Sequence, residues 1–324
     1  MMESIACNLC GQSDHRVVYQ KPDTKYFPKE RFSAVECLNC GLGYVNPRPA
    51  FSEMSRYYPV DFYEYFDTDP AAQMKRYRVE ASYLKEFARS AEGRKRLLDI
   101  GCANGDFPRH MIREGWEVEG VEVSRNSKAI DDFPVYRAPF PDLQIDQPCY
   151  DAITAWAVLE HVHDPMSYFK KAARLLKKGG HFIFLVTNFK SISSRALFLE
   201  DIPRHLYFFT EETVKAYLER NGFELLRADY NDKIYSMRPT NWLYYYIARM
   251  RRADLKFEDL PDTSYQSFSA NSQTDGFRLK SKYLVSLLLS HPLALIDKAL
   301  IPIVERAQIL RRRYGIVTFV ARKP

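Results

Sequence analysis

One stretch constrains this chain more than any other: Leu97-Leu98-Asp99-Ile100-Gly101-Cys102-Ala103-Asn104-Gly105-Asp106-Phe107. An apolar strand runs into a sharp turn and then into the start of a helix. Glycines at 101 and 105 give the turn backbone angles that other residues avoid, and let it approach a ligand closely. Twenty-three residues beyond Asp99, a second short strand over 117–121 ends on Glu122. In a doubly wound α/β sheet an acid at that strand tip grips the two hydroxyls of a ribose. The centre of the chain therefore reads as a Rossmann-like α/β fold.

Two kinds of nucleotide cofactor use this layout. A nicotinamide or flavin fingerprint needs G-x-G-x-x-G with a pyrophosphate on the helix N-terminus. Here Ala103 and Asp106 replace two of those glycines, and an acid at 106 repels a pyrophosphate. Asp99 suits a cationic ligand. S-adenosylmethionine (SAM) carries an ammonium and a sulfonium and no phosphate. The run from Asp99 to Gly105, with Glu122, resembles motif I and the acidic loop of class I SAM-dependent methyltransferases. That resemblance implies SAM held by Asp99, Gly101, Cys102, Gly105 and Glu122.

The chain has 324 residues, 46% hydrophobic and 27% charged, enough for one large domain or two smaller ones. Its start shows no basic region followed by an apolar run, and no stretch approaches 18 uninterrupted apolar residues. The expectation is a cytoplasmic protein. Charge is uneven: residues 231–324 hold 16 Lys/Arg against 8 Asp/Glu, so the net +6 resides in the C-terminal part. Such a part suits an acidic partner or is simply a solvated basic face.

Four of the six cysteines precede residue 41, as Cys7-x-x-Cys10-Gly and Cys37-x-x-Cys40-Gly. Two such knuckles, 26 residues apart, supply four thiolates for a tetrahedral zinc ion. A pair of disulfides is the competing reading, disfavoured by a reducing compartment. With all four ligands from protein, the zinc is expected to be structural.

The prolines of Asn46-Pro47-Arg48-Pro49 make a stiff exit from this segment, and aromatics crowd 57–66. Together, the cysteine knuckles, the Tyr-Val-Asn-Pro-Arg-Pro run and the tyrosine pairs resemble a group of bacterial methyltransferases that act on sugars or related small metabolites. In relatives that C-methylate deoxysugars the tyrosine-rich segment closes over the active site. The resemblance makes Tyr63 and Tyr65 candidate catalytic or substrate-contacting residues; packing of the aromatics onto the core is the alternative.

A helix is expected over 71–90, then alternating strands and helices. Strand one spans 96–101, with a helix over 107–114; strand two ends at Glu122, with Ser124 capping a helix over 126–131. Strand three is 135–137; the resemblance makes Asp142, just after it, a candidate for the adenine amino group. Strand four is 150–156; Trp156 is a candidate cofactor-binding residue, and the residues after it are expected to border the transferred methyl. Next comes Val158-Leu159-Glu160-His161-Val162-His163-Asp164-Pro165, which resembles the same group, including ubiquinone-type O-methyltransferases. In those enzymes an acid three residues before the Glu-His pair helps hold a divalent cation. Ala157 stands there, so metal assistance is not carried over. His161 is a candidate general base.

A helix over 165–177 is expected to stop at Lys177-Lys178-Gly179-Gly180 before strand five, 181–187. Arg204-His205-Leu206-Tyr207-Phe208-Phe209-Thr210 resembles the segment that the family places over the substrate pocket, making His205 a second candidate base. Thr210 opens a helix ending at Asn221-Gly222, strand six is 223–230, and strand seven lies at 315–322.

The expected organisation is a zinc-ribbon segment over 1–50, an aromatic lid and helix over 51–92, a core over 93–230, a helical insertion over 231–313 and a last strand over 314–324. The insertion includes Asn241–Tyr246, a polar stretch over 262–275 with the composition of a mobile loop, and a helical region over 280–313 broken by Pro292 and Pro302. That region suits capping of the substrate pocket, a homodimer interface or peripheral membrane contact. The favoured function is methylation, on carbon or oxygen, of a small molecule such as a nucleotide- or lipid-linked sugar. An RNA methyltransferase using the ribbon and the basic C-terminal part is one alternative. It is disfavoured because no Asn/Asp-Pro-Pro-aromatic motif follows strand four. A non-catalytic zinc-ribbon or SAM-binding protein is the other.

Overall fold

Apolar β-branched and aromatic runs separated by amphipathic helices build the central sheet. The computed structural model describes all residues except 24–25, 28, 59–69, 89–94, 125–129, 146, 198–199, 232, 236, 238–240 and 252–276. Tyr63 and Tyr65, the helix expected over 126–131 and the polar stretch at 262–275 lie wholly or mostly outside the described residues. Cα packing divides the chain into two units. One comprises residues 1–189, 200–236 and 316–324, the other 190–199 and 237–315.

In the first unit, α1 (Pro70–Ala88) precedes the alternating series. The series runs β6 (Arg96–Ile100), α2 (Asp106–Arg113), β7 (Glu117–Val121), β8 (Val135–Tyr136), β9 (Tyr150–Trp156), α3 (Pro165–Leu175), β10 (Leu176–Thr187), α4 (Glu211–Arg220), β12 (Glu224–Asp229) and β13 (Ile316–Arg322). The seven-stranded sheet has the order β12-β13-β10-β9-β6-β7-β8. Its strands are parallel except β13, which runs antiparallel to both β10 and β12. The order reverses between β6 and β9. In open α/β sheets ligands bind at such a switch, outside the carboxyl ends of the strands.

The core on one face of the sheet centres on Phe169 of α3. Its ring stacks on Tyr217 of α4 at 5.0 Å and meets Phe182 and Phe184 of β10 edge-on at 5.7 and 5.4 Å. Burying each such ring contributes roughly 1.5–3 kcal/mol. Both helices start on side-chain caps. Asp164 accepts from Ser167 N–H, and Thr210 and Thr213 each bond the other's backbone N–H, completing a reciprocal box without a Glu or Gln.

The N-terminal cysteines flank the strands of a second sheet, ordered β11-β4-β3-β2, with Cys37 ending β3. Its strands are β2 (His15–Pro22), β3 (Arg31–Cys37), β4 (Gly43–Val45) and β11 (Tyr207–Phe208). β11 comes from the segment after β10 and pairs antiparallel with β4. A two-stranded pair of β1 (Met2–Glu3) with β5 (Arg48–Pro49) closes the ribbon. The fourth strand of its sheet is supplied by residues more than 150 positions away.

Two boundaries differ from expectation. α3 ends at Leu175 and β10 begins at once, so Lys177–Gly180 is an irregular start of the strand, not a helix stop. Gly179 N–H donates to the Lys323 carbonyl and Lys323 N–H donates to the Gly180 carbonyl. These partners, at the far end of the chain, are invisible to a local reading. In the second unit, α5 (Trp242–Arg251), α6 (Phe277–Ser290) and α7 (Pro292–Leu310) are helical. Pro292 opens α7, and Pro302 lies inside it without ending it.

Candidate functional site

The turn after β6 has the form that its glycines suggest. Gly101 and Gly105 have φ of 72° and 82°. A Cβ on Gly101 would lie 2.6 Å from Val158 Cγ2, and one on Gly105 2.9 Å from the Phe133 ring. Both positions therefore exclude side chains by conformation and by space. Cys102 is buried, and its Sγ fills the place where a Cβ on Gly120 of β7 would sit, 2.7 Å away. It is a packing residue of the turn.

Glu122 follows β7 directly and binds the backbone of the turn. Its Oε2 accepts Ala103 N–H at 2.9 Å and its Oε1 accepts Ser124 N–H at 2.7 Å. Burial raises its pKa against those two hydrogen bonds. Asp99 is 2% exposed and accepts Thr154 Oγ1–H at 2.6 Å from neighbouring β9. Burial, opposed by that bond and reinforced by the charge of Glu80, pushes Asp99 up to about 8.

Glu80 and Arg76 were not legible as site residues. They occupy α1 as an i,i+4 ion pair at 3.1 Å, and Glu80 is fully buried. Burial lifts Glu80 to about 7, against the attraction of Arg76. Neither carboxylate oxygen of Glu80 accepts a hydrogen bond among the described residues. Arg76 also donates to the Tyr235 hydroxyl at 2.9 Å. Arg76 pairs with Glu80, and its charge also acts on Asp99, so these two carboxyls are one positive charge short when both ionise. Trp156, at the end of β9, packs edge-on against Phe107 at 5.6 Å, and its buried indole N–H has no acceptor among the described residues. A cationic ligand at the sheet's switch point fits this arrangement. Asp142 is exposed on a short turn, Phe140–Asp142.

The Val158–Pro165 run divides into two jobs. His163 and Asp164 join the core to the ribbon. Arg48 donates to the His163 carbonyl at 2.8 Å and to the Tyr207 hydroxyl at 3.0 Å, and Asn8 donates to Asp164 at 2.8 Å. Glu160 and His161 instead meet His205. Ligand atoms of the three residues all lie within 4.8 Å of one another, and the two imidazoles meet edge-on at 4.7 Å. Neither oxygen of the fully buried Glu160 has a hydrogen-bond partner among the described residues, and burial lifts it to about 7 despite the nearby His205.

The two candidate bases have different surroundings. His161 Nδ1 lies 3.0 Å from the Arg204 carbonyl and 3.0 Å from the Tyr58 hydroxyl. Burial, together with His205, lowers it to about 3, so it is neutral. His205 Nδ1 lies 2.6 Å from Oε2 of Glu200, itself 2% exposed. Burial alone would lower His205, but the bond and charge of Glu200 make the net shift upward. A carboxylate accepts from Nδ1–H, which leaves Nε2 as the basic nitrogen. Glu200 lies in a segment without periodicity, and no sequence signal marked it. Among the described residues of the aromatic segment, Tyr58 reaches this cluster.

The loop carrying His205 is held by ionic and backbone bonds. Fully buried Arg204 pairs with Asp23 at 2.9 Å and Asp201 at 2.6 Å. Leu206 and Tyr207 N–H both donate to the Glu160 carbonyl, at 2.7 and 3.1 Å.

The four N-terminal cysteines converge. Cys7 and Cys40 sulfurs are 3.4 Å apart, Cys10 and Cys37 sulfurs 3.5 Å, and all four lie within 4.8 Å. Zn–S bonds of about 2.3 Å in a tetrahedron separate sulfurs by roughly 3.8 Å, so the four cysteines fit a zinc ribbon. Each knuckle ends on a glycine at positive φ, Gly11 and Gly41.

Residues 72–228 match the family model described as a methyltransferase domain. Over this segment the chain is similar to methyltransferase domains, and the sheet order and the turn after β6 have the form of the class I SAM-dependent methyltransferase fold. The chain is similar to the ubiquinone biosynthesis O-methyltransferase of Alkalilimnicola ehrlichii, 35% identical over 125 residues, covering 34% of this chain and 48% of that protein. It is also similar to the enzyme of the same name from Bordetella bronchiseptica, 34% identical over 120 residues, covering 34% and 49%. The chain thus spans about half the length of the curated relatives it matches. Among solved structures, phosphoethanolamine N-methyltransferase 2 of Haemonchus contortus superposes with a TM-score of 0.49 at 17% identity, covering 87% of this chain and 63% of that one.

Proposed function

We propose that this protein transfers a methyl group from SAM to a hydroxyl of a small molecule, with His205 as general base and Glu200 as its positioning residue. The observation that carries the reading is the 2.6 Å Glu200–His205 contact, set beside Glu160 at the carboxyl end of β9 in a methyltransferase sheet. When bound, SAM supplies a methyl already activated by the sulfonium. The protein has to hold it, bring the acceptor into line and take one proton. Glu122 holds the ribose hydroxyls. Asp99 and Glu80 would supply negative charge for the methionine ammonium, Gly101 and Gly105 would permit close backbone approach, and Trp156, with the residues after it, would line the cofactor site.

The acceptor O–H proton passes to His205 Nε2, and Glu200 stabilises the imidazolium through Nδ1–H. His161, the weaker base in its buried setting, orients the loop through the Arg204 carbonyl. The O-methyltransferase names of the relatives support a hydroxyl acceptor. The sugar acceptor expected from the cysteine and tyrosine pattern has no counterpart in those names, and we keep it as one arm of the test. The ribbon cysteines hold a structural zinc ion.

The test is turnover with labelled SAM on polyprenyl phenols and on nucleotide- and lipid-linked sugars, comparing wild type with His205→Asn. Methyl transfer to a hydroxyl, lost at least a hundredfold in the variant, supports the reading. Transfer to RNA, or SAM binding without turnover on any acceptor, overturns it. Glu160, His161 and His205 are also close enough to share a divalent cation. Activity abolished by EDTA and restored by Mg²⁺ or Mn²⁺ would replace the base mechanism with metal-assisted deprotonation.

A further inference from the structure

The second unit has an outer surface of unusual composition. Inside it, Tyr283 and Leu287 of α6 pack with Ala294 of α7, against Tyr244 and Leu295. Asp297 of α7 accepts the N–H groups of Leu243 and Tyr244, capping the first turn of α5. The opposite face of α6 is apolar and open: Leu284, Val285, Leu288 and Leu289 are 49–78% exposed. On α7 the exposed positions recur at helical spacing as Pro292, Ile296, Ala299, the adjacent Pro302 and Ile303, Arg306 and Leu310. Ile303 and Leu310 are 67% and 75% exposed.

Charge is sorted with the same bias. Over residues 280–313 the acids are Asp297 and Glu305, and both are buried, Glu305 within reach of the Tyr314 hydroxyl at 3.2 Å. The exposed charges over that span are Lys280, Lys282, Arg306 and Arg311–Arg313, all positive. No single described helix is long and apolar enough to cross a membrane, and the helices over 280–290 and 292–310 meet at 119°. An exposed apolar face flanked by cations, on helices of which neither is by itself long and apolar enough to span, is the composition of an element lying in the plane of a bilayer surface.

We infer that the outer face of α6 and α7 docks on an anionic lipid bilayer, with leucines and isoleucines among the acyl chains and the lysines and arginines at the phosphates. Charge decides between occupants. A second copy would bring one cationic rim against another, and like charges oppose that contact. Nucleic acid would satisfy the arginines and gain nothing from Leu288, Leu289 or Ile303.

The experiment is flotation of the full chain with vesicles of phosphatidylglycerol and phosphatidylcholine (1:1) and of phosphatidylcholine alone. Binding is expected to the anionic vesicles only and to weaken in high salt. Leu288→Glu with Leu289→Glu, and separately Arg311→Gln with Arg312→Gln and Arg313→Gln, are each expected to weaken it roughly tenfold to a hundredfold. Calorimetric SAM affinity, unchanged in both variants, serves as the folding control. Failure of the wild type to float with anionic vesicles overturns the inference. So does flotation indifferent to the leucine pair, which would mean adsorption by charge alone. A dimer in sedimentation velocity that the leucine variant dissociates, with no flotation, overturns it in favour of a second copy.

Discussion

Asp99, Glu80 and Glu160 are carboxyls that burial holds at about 8, 7 and 7, close to neutral pH and far from their ordinary range. In the folded chain each keeps a proton that the unfolded chain gives up near pH 4. Their contribution to stability is therefore complete below about pH 4 and declines as pH rises toward 8. Without SAM, the Tm is expected to fall from pH 5 to pH 8. A cation favours the ionised form of Asp99 and Glu80, so SAM binding is expected to release protons and to tighten with pH across the same interval. Calorimetry in buffers of different ionisation heat checks both, and Glu80→Gln is expected to reduce the proton release. Glu122→Ala removes the group that holds Ala103 and Ser124 and is expected to weaken SAM binding at least tenfold.

At the same scale, Glu200 holds the His205 pKa up. A general base works deprotonated, so kcat/KM should rise with pH through that pKa. Glu200→Gln is expected to move the acidic limb to lower pH while kcat falls about tenfold to a hundredfold; an unmoved limb would leave Glu200 a purely structural role. Both histidines were legible in the sequence because each sits in a short motif. Nothing local distinguished them. The difference comes from Glu200 and Tyr58, whose contacts exist only after folding.

At the scale of elements, the ribbon is sutured to the core at its edge strand and at its knuckles. β4 pairs with β11, two residues beyond His205, and Asn8 reaches Asp164 at the start of α3. Removing zinc with a strong chelator, or introducing Cys10→Ser, is expected to lower the Tm by several degrees and to reduce kcat, because the His205 loop loses its anchor. Asp164→Ala deletes a helix cap and a ribbon contact together, and is expected to cost about 1–2 kcal/mol in denaturant unfolding. Arg204→Met breaks a buried pairing with Asp23 and Asp201 and is expected to cost about 3–5 kcal/mol.

At the scale of the whole molecule, residues 237–315 enter the chain between β12 and β13, neighbours in the sheet with Asp229 opposite Thr318. A short turn can join strands so placed. Replacing residues 237–315 by a Gly/Asn-rich hairpin loop is expected to leave a folded, SAM-binding domain by circular dichroism and calorimetry, and to abolish flotation with anionic vesicles.

The alternating strands and helices, the glycine turn, the acid after β7 and the paired knuckles all follow from the sequence. Each is encoded by neighbours: apolar runs of strand length, glycines where φ must be positive, sulfurs two residues apart. Tertiary structure alone decided that β11 completes the ribbon sheet, that Lys177–Gly180 belongs to a strand, and that Glu80 and Glu200 belong to the site. Those outcomes depend on hydrogen bonds and charges between residues far apart in the chain, and on burial, which sets the charge state of a carboxyl only once the chain has closed around it.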